Sequence, residues 1–310
     1  MTTSLRRVAV AAALASFAFS ASAYDSGGSF SGSNSGWDGS RGCASGTDTS
    51  RRNSTLQVVG LTADGRLVCF NEGNPGDARD IGPVSLGGGD SKLVGIDFRV
   101  QDGKLYGVGN AGGVYMLDTS NASATLVNRL TVALSGTSFG VDFNPAADRL
   151  RITSDNGQNL RHNVNVGGVT IADDALDYPP ATPVNAIGPT AMGISGSAYT
   201  NNDLAANTAT TLYVLDTKLD QIAIQSPPND GTLAATGKLG VDAQLASGFD
   251  IYSTIRNGVT VAVRSLASLT ALDGSSALYG ISLPTGAATA RGGFGTRNQM
   301  IDIAIPLNQL

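Results

Sequence analysis

Beyond residue 54, apolar residues occur in short runs that alternate with polar residues, and each run ends at Gly, Asn, Asp or Pro. A period of two between turn residues is typical of β-strands. No window keeps the 3.6-residue period of an amphipathic helix. The sequence therefore predicts an all-β protein.

The predicted strands fall into repeating units of four. The clearest unit contains Leu93–Phe98, Lys104–Val108, Gly113–Asp118 and Ala124–Leu130. Further units begin at Phe139, near Met192 and at Gly248. Four short strands in a unit of about 51 residues are typical of a β-propeller blade.

The two ends of the repeating region complement each other. Residues 55–86 supply only three strands, Leu56–Gly60, Arg66–Phe70 and Asp80–Val84. The missing first strand occurs at the end of the chain as Met300–Ala304. Because pairing of these ends would seal the edges of an open ring, residues 55–310 are predicted to form a five-bladed β-propeller, with the C-terminal strand pairing with the N-terminal blade. A β-sandwich, a β-solenoid and a ring of four or six blades are the alternatives.

The N-terminal region has the pattern of an export signal. Arg6 and Arg7 precede an apolar run that ends at Phe19, and small residues lead up to Ala23. This predicts a signal peptide over residues 1–23 and a secreted or periplasmic protein with no membrane span after cleavage. A membrane anchor is the alternative, but the run is well short of the ~20 residues that cross a bilayer. Residues 24–54 are rich in Gly and Ser and are predicted to be a flexible leader.

Cys43 and Cys69 are the only two cysteines of the chain. In an exported protein two cysteines are expected to pair with each other, so we predict a disulfide between them. Two separate buried thiols are the alternative. Structural zinc is excluded, since two cysteines and a single histidine fall short of four ligands.

The chain is acidic, with a formal net charge of −5. Such a surface makes nucleic acid a poor partner. Charged residues are only 15% of the chain, which excludes long salt-bridged helices.

The first strands of the five units, when aligned, share one acidic position. That position carries Asp97, Asp142, Ser195, Asp250 and Asp302. Because first strands line the channel of a propeller, these side chains are expected to converge on one axis. Several carboxylates in one place are the ligands that Ca²⁺ or Mg²⁺ prefers, and the four aspartates are candidate metal ligands. Alternatively, each aspartate accepts hydrogen bonds from the neighbouring blade and joins the two blades.

The second candidate site is a polar stretch on two neighbouring strands of the second unit. It contains Arg149, Arg151, Asn159 and Arg161. Guanidinium groups at this density could hold a carboxylate, a sulfate or sugar hydroxyls. Alternatively, these arginines pair with Asp142, Asp148 or Asp155 and only satisfy the interior.

Evidence for an enzyme is weak. His162 is the single histidine, and no G-x-S-x-G motif precedes a helix, which disfavours a serine hydrolase. Paired channel aspartates could serve a glycosidase, but Glu72 is the only glutamate, and Trp37, the only tryptophan, lies in the leader.

Several motifs together resemble one bacterial family. The longest is the segment from Phe139 to Arg151, which continues into Ser154–Arg161. Shorter matches are Val94–Arg99, Ala198–Asn202, Pro228–Leu233, Leu239–Asp242 and Gly248–Ile251. Over about residues 56–305 the chain resembles the family called domain of unknown function 4394. The resemblance implies an exported, propeller-like domain and brings no activity or catalytic residues.

Two functions are therefore compared. The first is an exported, non-enzymatic propeller that binds a small molecule, a glycan or an extracellular protein, with a cation in its channel as an option. The second is a carbohydrate-active hydrolase that uses channel aspartates. A hydrolase needs two carboxyl groups about 5 to 9.5 Å apart in an open cleft. Carboxylates that bond to backbone in a narrow channel favour the binding propeller, which is the interpretation we prefer.

Overall fold

A computed structural model of the protein describes residues 55–180, 188–295 and 299–310. These residues form five four-stranded sheets in a ring, a five-bladed β-propeller. The predicted fold is thus confirmed. The predicted signal peptide, the predicted leader and Cys43 lie outside the described residues, so the signal peptide and the leader stay predictions, as does the disulfide with Cys69. Among the described residues no helix has the length and hydrophobicity to cross a bilayer.

Strands are numbered in chain order, and blades by the order of their first strands. Blade 1 contains β4 (Leu93–Phe98), β5 (Leu105–Gly109), β6 (Gly113–Leu117) and β7 (Ala124–Arg129). Blade 2 contains β8 (Phe139–Asn144), β9 (Arg149–Ser154), β10 (Asn159–His162) and β11 (Thr170–Ala172). Blade 3 contains β12 (Ile194–Tyr199), β13 (Leu212–Asp216), β14 (Gln221–Gln225) and β15 (Leu233–Lys238), with a 3₁₀ turn at Pro228–Asp230. Blade 4 contains β16 (Gly248–Arg256), β17 (Val259–Thr270), β18 (Ser276–Ile281) and β19 (Ala288–Gly293). Blade 5 joins β20 (Met300–Ala304) to β1 (Gln57–Thr62), β2 (Arg66–Asn71) and β3 (Asn74–Pro83).

The ring closes through blade 5, where the two ends of the chain share a sheet. Strand β20 pairs antiparallel with β1, and the register places Ala304 opposite Val59 and Asp302 opposite Leu61. The inner strands contact one another in the cyclic order β20, β4, β8, β12, β16. The predicted closure is confirmed, and none of these inner strands is left as an unprotected sheet edge.

The hydrophobic core is divided among the interfaces between blades. Between blades 1 and 2, for example, Val108 and Tyr106 pack with Phe143 and Leu150. The rings of Tyr106 and Phe143 meet edge to face with centroids 5.3 Å apart. Because side chains alternate across each strand, the two faces of a central blade strand such as β5 are both buried between neighbouring blades.

Small residues allow the inner strands to approach closely around the channel. A Cβ atom on Gly140 of β8 would lie 2.4 Å from the backbone nitrogen of Ser197 in β12. A Cβ atom on Gly248 of β16 would lie 2.4 Å from Cα of Asp302. Each of these positions therefore requires glycine, because the obstruction is backbone of the next blade and cannot rotate away.

The first strand of blade 3 differs from the sequence prediction. It was expected near Met192–Ser195, and it runs from Ile194 to Tyr199 with a bulge between Ile194 and Gly196. This unit lacks the apolar–Asp–apolar pattern that the other four first strands share, so the predicted alignment of its residues with theirs was wrong by three positions.

Candidate functional site

Four channel aspartates occupy equivalent positions on four inner strands. Asp97 lies opposite Tyr106 on the neighbouring strand of its own blade, and Asp142 lies opposite Arg151 in the same register. Asp250 and Asp302 complete the set from β16 and β20. All four are between 2% and 6% exposed. The repeat thus brings to one place side chains that are far apart in the sequence, as the sequence predicted.

The fifth member of the ring was assigned wrongly. In β12 the residue opposite Tyr213 is Ala198, which is the register position that aspartates occupy in blades 1 and 2. Ser195 lies three residues earlier, before the bulge in β12. The ring therefore holds four carboxyl groups and one methyl group, and Ser195 is not part of it.

Each channel aspartate accepts a backbone hydrogen bond from the next blade. The Asp302 Oδ2 to Ile96 N distance is 2.8 Å. The Asp97 Oδ2 to Phe143 N distance is 2.7 Å. Asp142 Oδ1 lies 3.0 Å from Tyr199 N, and Asp250 Oδ2 lies 2.5 Å from Ile305 N. The aspartates therefore act as bridges between blades, which is the structural role that the sequence left open.

The carboxyl groups also repel one another. Asp97, Asp142 and Asp250 each offer an oxygen within 4.8 Å of those of the other two. No ion pair to any of the four channel aspartates occurs among the described residues. Burial, followed by the charge of Asp250, raises the pKa of Asp97 well above its ordinary value. Burial, followed by the charge of Asp97, raises the pKa of Asp142 in the same way.

The other two carboxyl groups are shifted in the same direction. Burial raises the pKa of Asp250 to about 6, and burial raises the pKa of Asp302. The folded channel therefore favours protonated carboxyl groups, which can share hydrogen bonds instead of charges.

The three clustered oxygens are also compatible with a metal ion. Three atoms within 4.8 Å of one another have a common point no more than about 2.8 Å from each, which is compatible with the distances of 2.3 to 2.6 Å that Ca²⁺ prefers. These oxygens would supply three of the six to eight ligands that Ca²⁺ takes. The metal assignment of Asp97, Asp142, Asp250 and Asp302 stays a prediction.

A separate cavity of about 230 Å³ lies between blades 2 and 3. Its lining residues are Asn144, Ala147, Arg149, Arg151, Arg161, Tyr199, Pro228 and Asn229. The three arginines lie on one face of blade 2, because Arg149 precedes Arg151 by two residues in β9 and Arg161 lies opposite Arg151 in β10. We call this cavity the arginine pocket.

Arg151 forms the inner wall of the arginine pocket and is held on several sides. Its Nη1 donates to Asp173 at 2.7 Å and to Asn159 at 2.8 Å, and its Nη2 donates to Asn229 at 2.8 Å. Its Nε donates to the Tyr199 hydroxyl at 3.3 Å. These partners lock the guanidinium plane, so Arg151 is a fixed positive charge at the base of the pocket.

The predicted ligand residues separate into two groups. Arg149, Arg151 and Arg161 line the arginine pocket. Asn159 is buried behind it and holds Arg151 in place, while its own amide nitrogen donates to the carbonyls of Asp174 and Pro228. Asn159 is therefore a positioning residue in this structure.

The partners expected for the arginines are engaged elsewhere. The carboxylate of Asp148 pairs with Arg99, and that of Asp155 accepts the N–H of Thr137 at 2.7 Å. The acidic partner in the arginine pocket is Asp173, which pairs with both Arg151 and Arg161. Asp173 lies in the connection after β11. No pattern in the neighbouring sequence indicates that it belongs to this site.

Tyr199 and Asn229 were also not predicted from the sequence as site residues. Both belong to blade 3, whereas the candidate stretch was confined to blade 2. Asn229 follows Pro228 in the 3₁₀ turn. The Pro228–Leu233 motif was used only for the family resemblance, and it is the one signal that could have pointed to this residue.

His162 is a buried structural residue. Its ring nitrogens lie 3.0 Å from the Thr170 hydroxyl and 3.0 Å from the Asn128 amide oxygen. Burial, followed by the charge of Arg149, lowers the pKa of His162 to about 4. A buried, neutral imidazole with both nitrogens engaged gives no support to a nucleophilic hydrolase.

The fold and these sites define a five-bladed β-propeller protein with a buried acidic channel and an arginine pocket between two blades. The chain belongs to the family described as Domain of unknown function (DUF4394), whose model matches residues 66–304. The resemblance found in the sequence is thus confirmed. No curated protein matches this chain.

Two solved structures illustrate how distant the similar folds are. A structural genomics protein of unknown function from Bacteroides thetaiotaomicron VPI-5482 is 14% identical with a TM-score of 0.42, and the match covers 82% of this chain and 68% of that one. An auxiliary nutrient binding protein from Bacteroides ovatus ATCC 8483 is 14% identical with a TM-score of 0.37. That match covers 58% of this chain and only 46% of that one. At these values, nothing that those proteins bind transfers to this chain.

Proposed function

We propose that the protein is an exported, non-enzymatic propeller that binds a small, negatively charged molecule in the arginine pocket. One observation carries the proposal. Three guanidinium groups line a single cavity, and one carboxylate, that of Asp173, pairs with two of them. The lining itself contains three guanidinium groups and no carboxyl group, on a protein that is negative overall, which favours an anionic ligand.

The pocket is also preorganised. Arg151 is held by four hydrogen bonds, and Asn159 is fixed in turn by Gln225 Nε2 at 3.2 Å. A charge that is already fixed in place loses little conformational entropy when a ligand binds. This arrangement supports a binding site better than an interior that merely neutralises itself.

The geometry gives less support to the hydrolase. Asp97, Asp142 and Asp250 are buried and their carboxylates touch the backbone of the next blade. A glycosidase needs carboxyl groups that reach the scissile bond from an open cleft. Export of the protein rests on the pattern of residues 1–23, and a secreted or periplasmic location is part of the proposal.

A thermal shift screen on the purified protein tests this function. The panel contains organic acids, sugar acids, sugar phosphates, neutral sugars and oligosaccharides. A ligand that binds the folded state raises Tm as its concentration exceeds Kd. We expect anionic compounds to raise the Tm of the unmodified protein, and Arg149→Gln to reduce this shift strongly.

Arg256→Gln is the matched control, since Arg256 is exposed at the end of β16 and lies outside the pocket lining. It should bind like the unmodified protein. Shifts that persist unchanged in Arg149→Gln would refute the arginine pocket as the ligand site. Release of sugars from the oligosaccharides, followed by chromatography, would refute a non-enzymatic function.

A further inference from the structure

The hydrogen-bonding atoms that the arginine pocket leaves available are donors. Arg161 uses Nε on Asp173, and no described residue accepts a hydrogen bond from its two terminal nitrogens. Arg149 uses Nη1 on the carbonyls of Ala147 and Asp148, and its Nε and Nη2 have no acceptor among the described residues. Guanidinium groups only donate, so these two side chains offer several N–H groups to a ligand.

The acceptors of the pocket, by contrast, are already used. Both oxygens of Asp173 accept from arginines. The amide oxygens of Asn144 and Asn229 accept from Ala147 N and from Arg151, which leaves their amide nitrogens as donors. The carbonyl of Pro228 accepts from buried side chains behind the pocket.

Because the pocket offers hydrogen-bond donors and its acceptors are occupied, it favours a ligand whose polar atoms are acceptors. Each hydroxyl of a neutral sugar brings a donor as well as an acceptor, and a buried donor without a partner is costly. A carboxylate ion only accepts, and it matches a guanidinium fork with two parallel hydrogen bonds. The pocket therefore suits a ligand whose polar atoms are ionised acids.

The spacing of the guanidinium groups of Arg149 and Arg161 indicates how many carboxylate groups the ligand carries. Arg161 lies opposite Arg151, and Arg149 lies two residues along the same strand, so Arg149 and Arg161 are diagonal neighbours. The Cα atoms of diagonal neighbours are about 7 to 8 Å apart. Two carboxylates at opposite ends of a short carbon chain can each reach one of these arginines.

Resting on the proposed function, we infer that the ligand is a small aliphatic dicarboxylate, with one carboxylate on Arg149 and the other on Arg161. Its two negative charges would meet three guanidinium groups in a lining that contains no carboxyl group of its own. The volume is also suitable. A cavity of 230 Å³ has room for about eight water molecules, which is enough for a four-carbon dicarboxylate.

Isothermal titration calorimetry on the purified protein tests this inference with four probes: succinate, its monoacid analogue butyrate, inorganic phosphate and glucose. We expect succinate to bind at least about tenfold more tightly than butyrate, since one charged fork is left unfilled by the monoacid. Glucose should not bind measurably. Arg149→Gln and Arg161→Gln should each weaken succinate by about tenfold or more and leave the affinity for butyrate less affected.

Two variants keep the test informative. Arg161→Gln removes a partner of Asp173 and could lower the stability of the fold, whereas Arg149 bonds only to backbone carbonyls and should fold normally. Arg256→Gln should bind succinate like the unmodified protein. Butyrate or glucose that binds as tightly as succinate would overturn the dicarboxylate, and so would phosphate that binds more tightly. Failure of the proposed function itself has a different signature, in which no anion binds in a manner that depends on Arg149.

Discussion

The side chain of Asp302 accepts the backbone N–H of Ile96 at 2.8 Å, across 206 positions of the sequence. This bond joins the last strand of the chain to the first strand of blade 1. Together with the pairing of β20 with β1, it connects blade 5 to its neighbour from the inside of the ring. The following predictions start from this closure.

Removal of β20 should abolish folding of the propeller. A chain that ends at Gln299 loses the inner strand of blade 5 and buried residues including Met300 and Ile303. It also exposes the backbone of β1 as a sheet edge, which promotes aggregation. We expect such a chain to elute as aggregates in size-exclusion chromatography.

A chain that ends at Leu307 is the control. It loses the hydrogen bonds of Gln309 and Leu310 with Gln57, Tyr252 and Pro306, so it should unfold cooperatively with a modestly lower midpoint. A monomeric, cooperatively folded chain ending at Gln299 would contradict the closure.

Gly140→Ala should destabilise the interface of blades 2 and 3. The added Cβ would meet the backbone of Ser197 at 2.4 Å, and the inner strands would have to separate. Overpacking of this kind costs about 1 to 3 kcal/mol. Gly87→Ala is the control, because nothing lies within 4 Å of its Cβ position. The measurement is the free energy of unfolding in guanidinium chloride, and equal values for the two variants would refute the close approach.

The channel aspartates should make the fold less stable as pH rises. Their pKa values are raised in the folded state, so the folded protein holds more protons than the unfolded chain, and the free energy of unfolding falls with increasing pH. For Asp250 this loss of stability occurs between pH 3.8, its ordinary pKa, and pH about 6, its pKa in the folded protein. A shift of this size corresponds to about 3 kcal/mol.

Asp142→Asn tests the origin of this pH dependence. Asparagine keeps an oxygen for the Tyr199 N–H and removes one of the charges that face Asp97. We expect the variant to have a higher Tm than the unmodified protein near pH 8, with a flatter profile down to about pH 4. If Tm instead falls more steeply with pH in the variant, repulsion between the channel aspartates is not the cause of the pH dependence.

Chelation distinguishes the two roles considered for the channel. If the aspartates bridge the blades through protons and backbone hydrogen bonds, EDTA, Ca²⁺ and Mg²⁺ should each leave Tm unchanged, and this is the outcome we expect. A metal ion needs deprotonated ligands, so a metal-filled channel would reverse the pH dependence described above. A Tm that falls with EDTA and recovers with Ca²⁺ would instead establish the metal prediction for Asp97, Asp142 and Asp250.

The periodicity of the sequence was sufficient to predict the architecture, because a propeller repeats one local pattern of strands and turns. Strand alternation, turn residues and the unit length each depend on residues that are close in the sequence. The displaced strand at Met300–Ala304 was recognisable because it carries the same pattern as Val94–Phe98. The alignment failed only in blade 3, where a bulge and the substitution of Ala198 for aspartate remove the pattern.

The chemistry of both sites, in contrast, depended on tertiary structure. The four aspartates were identifiable from their repeated position, but whether they face one another or bond to the next blade depends on the distance between inner strands. In the arginine pocket, three of the four partners of Arg151 lie 22, 48 and 78 positions away, on Asp173, Tyr199 and Asn229. Local sequence determines which strands form, whereas the packing of one blade against the next decides which side chains meet, since that contact is made by residues with no common sequence pattern.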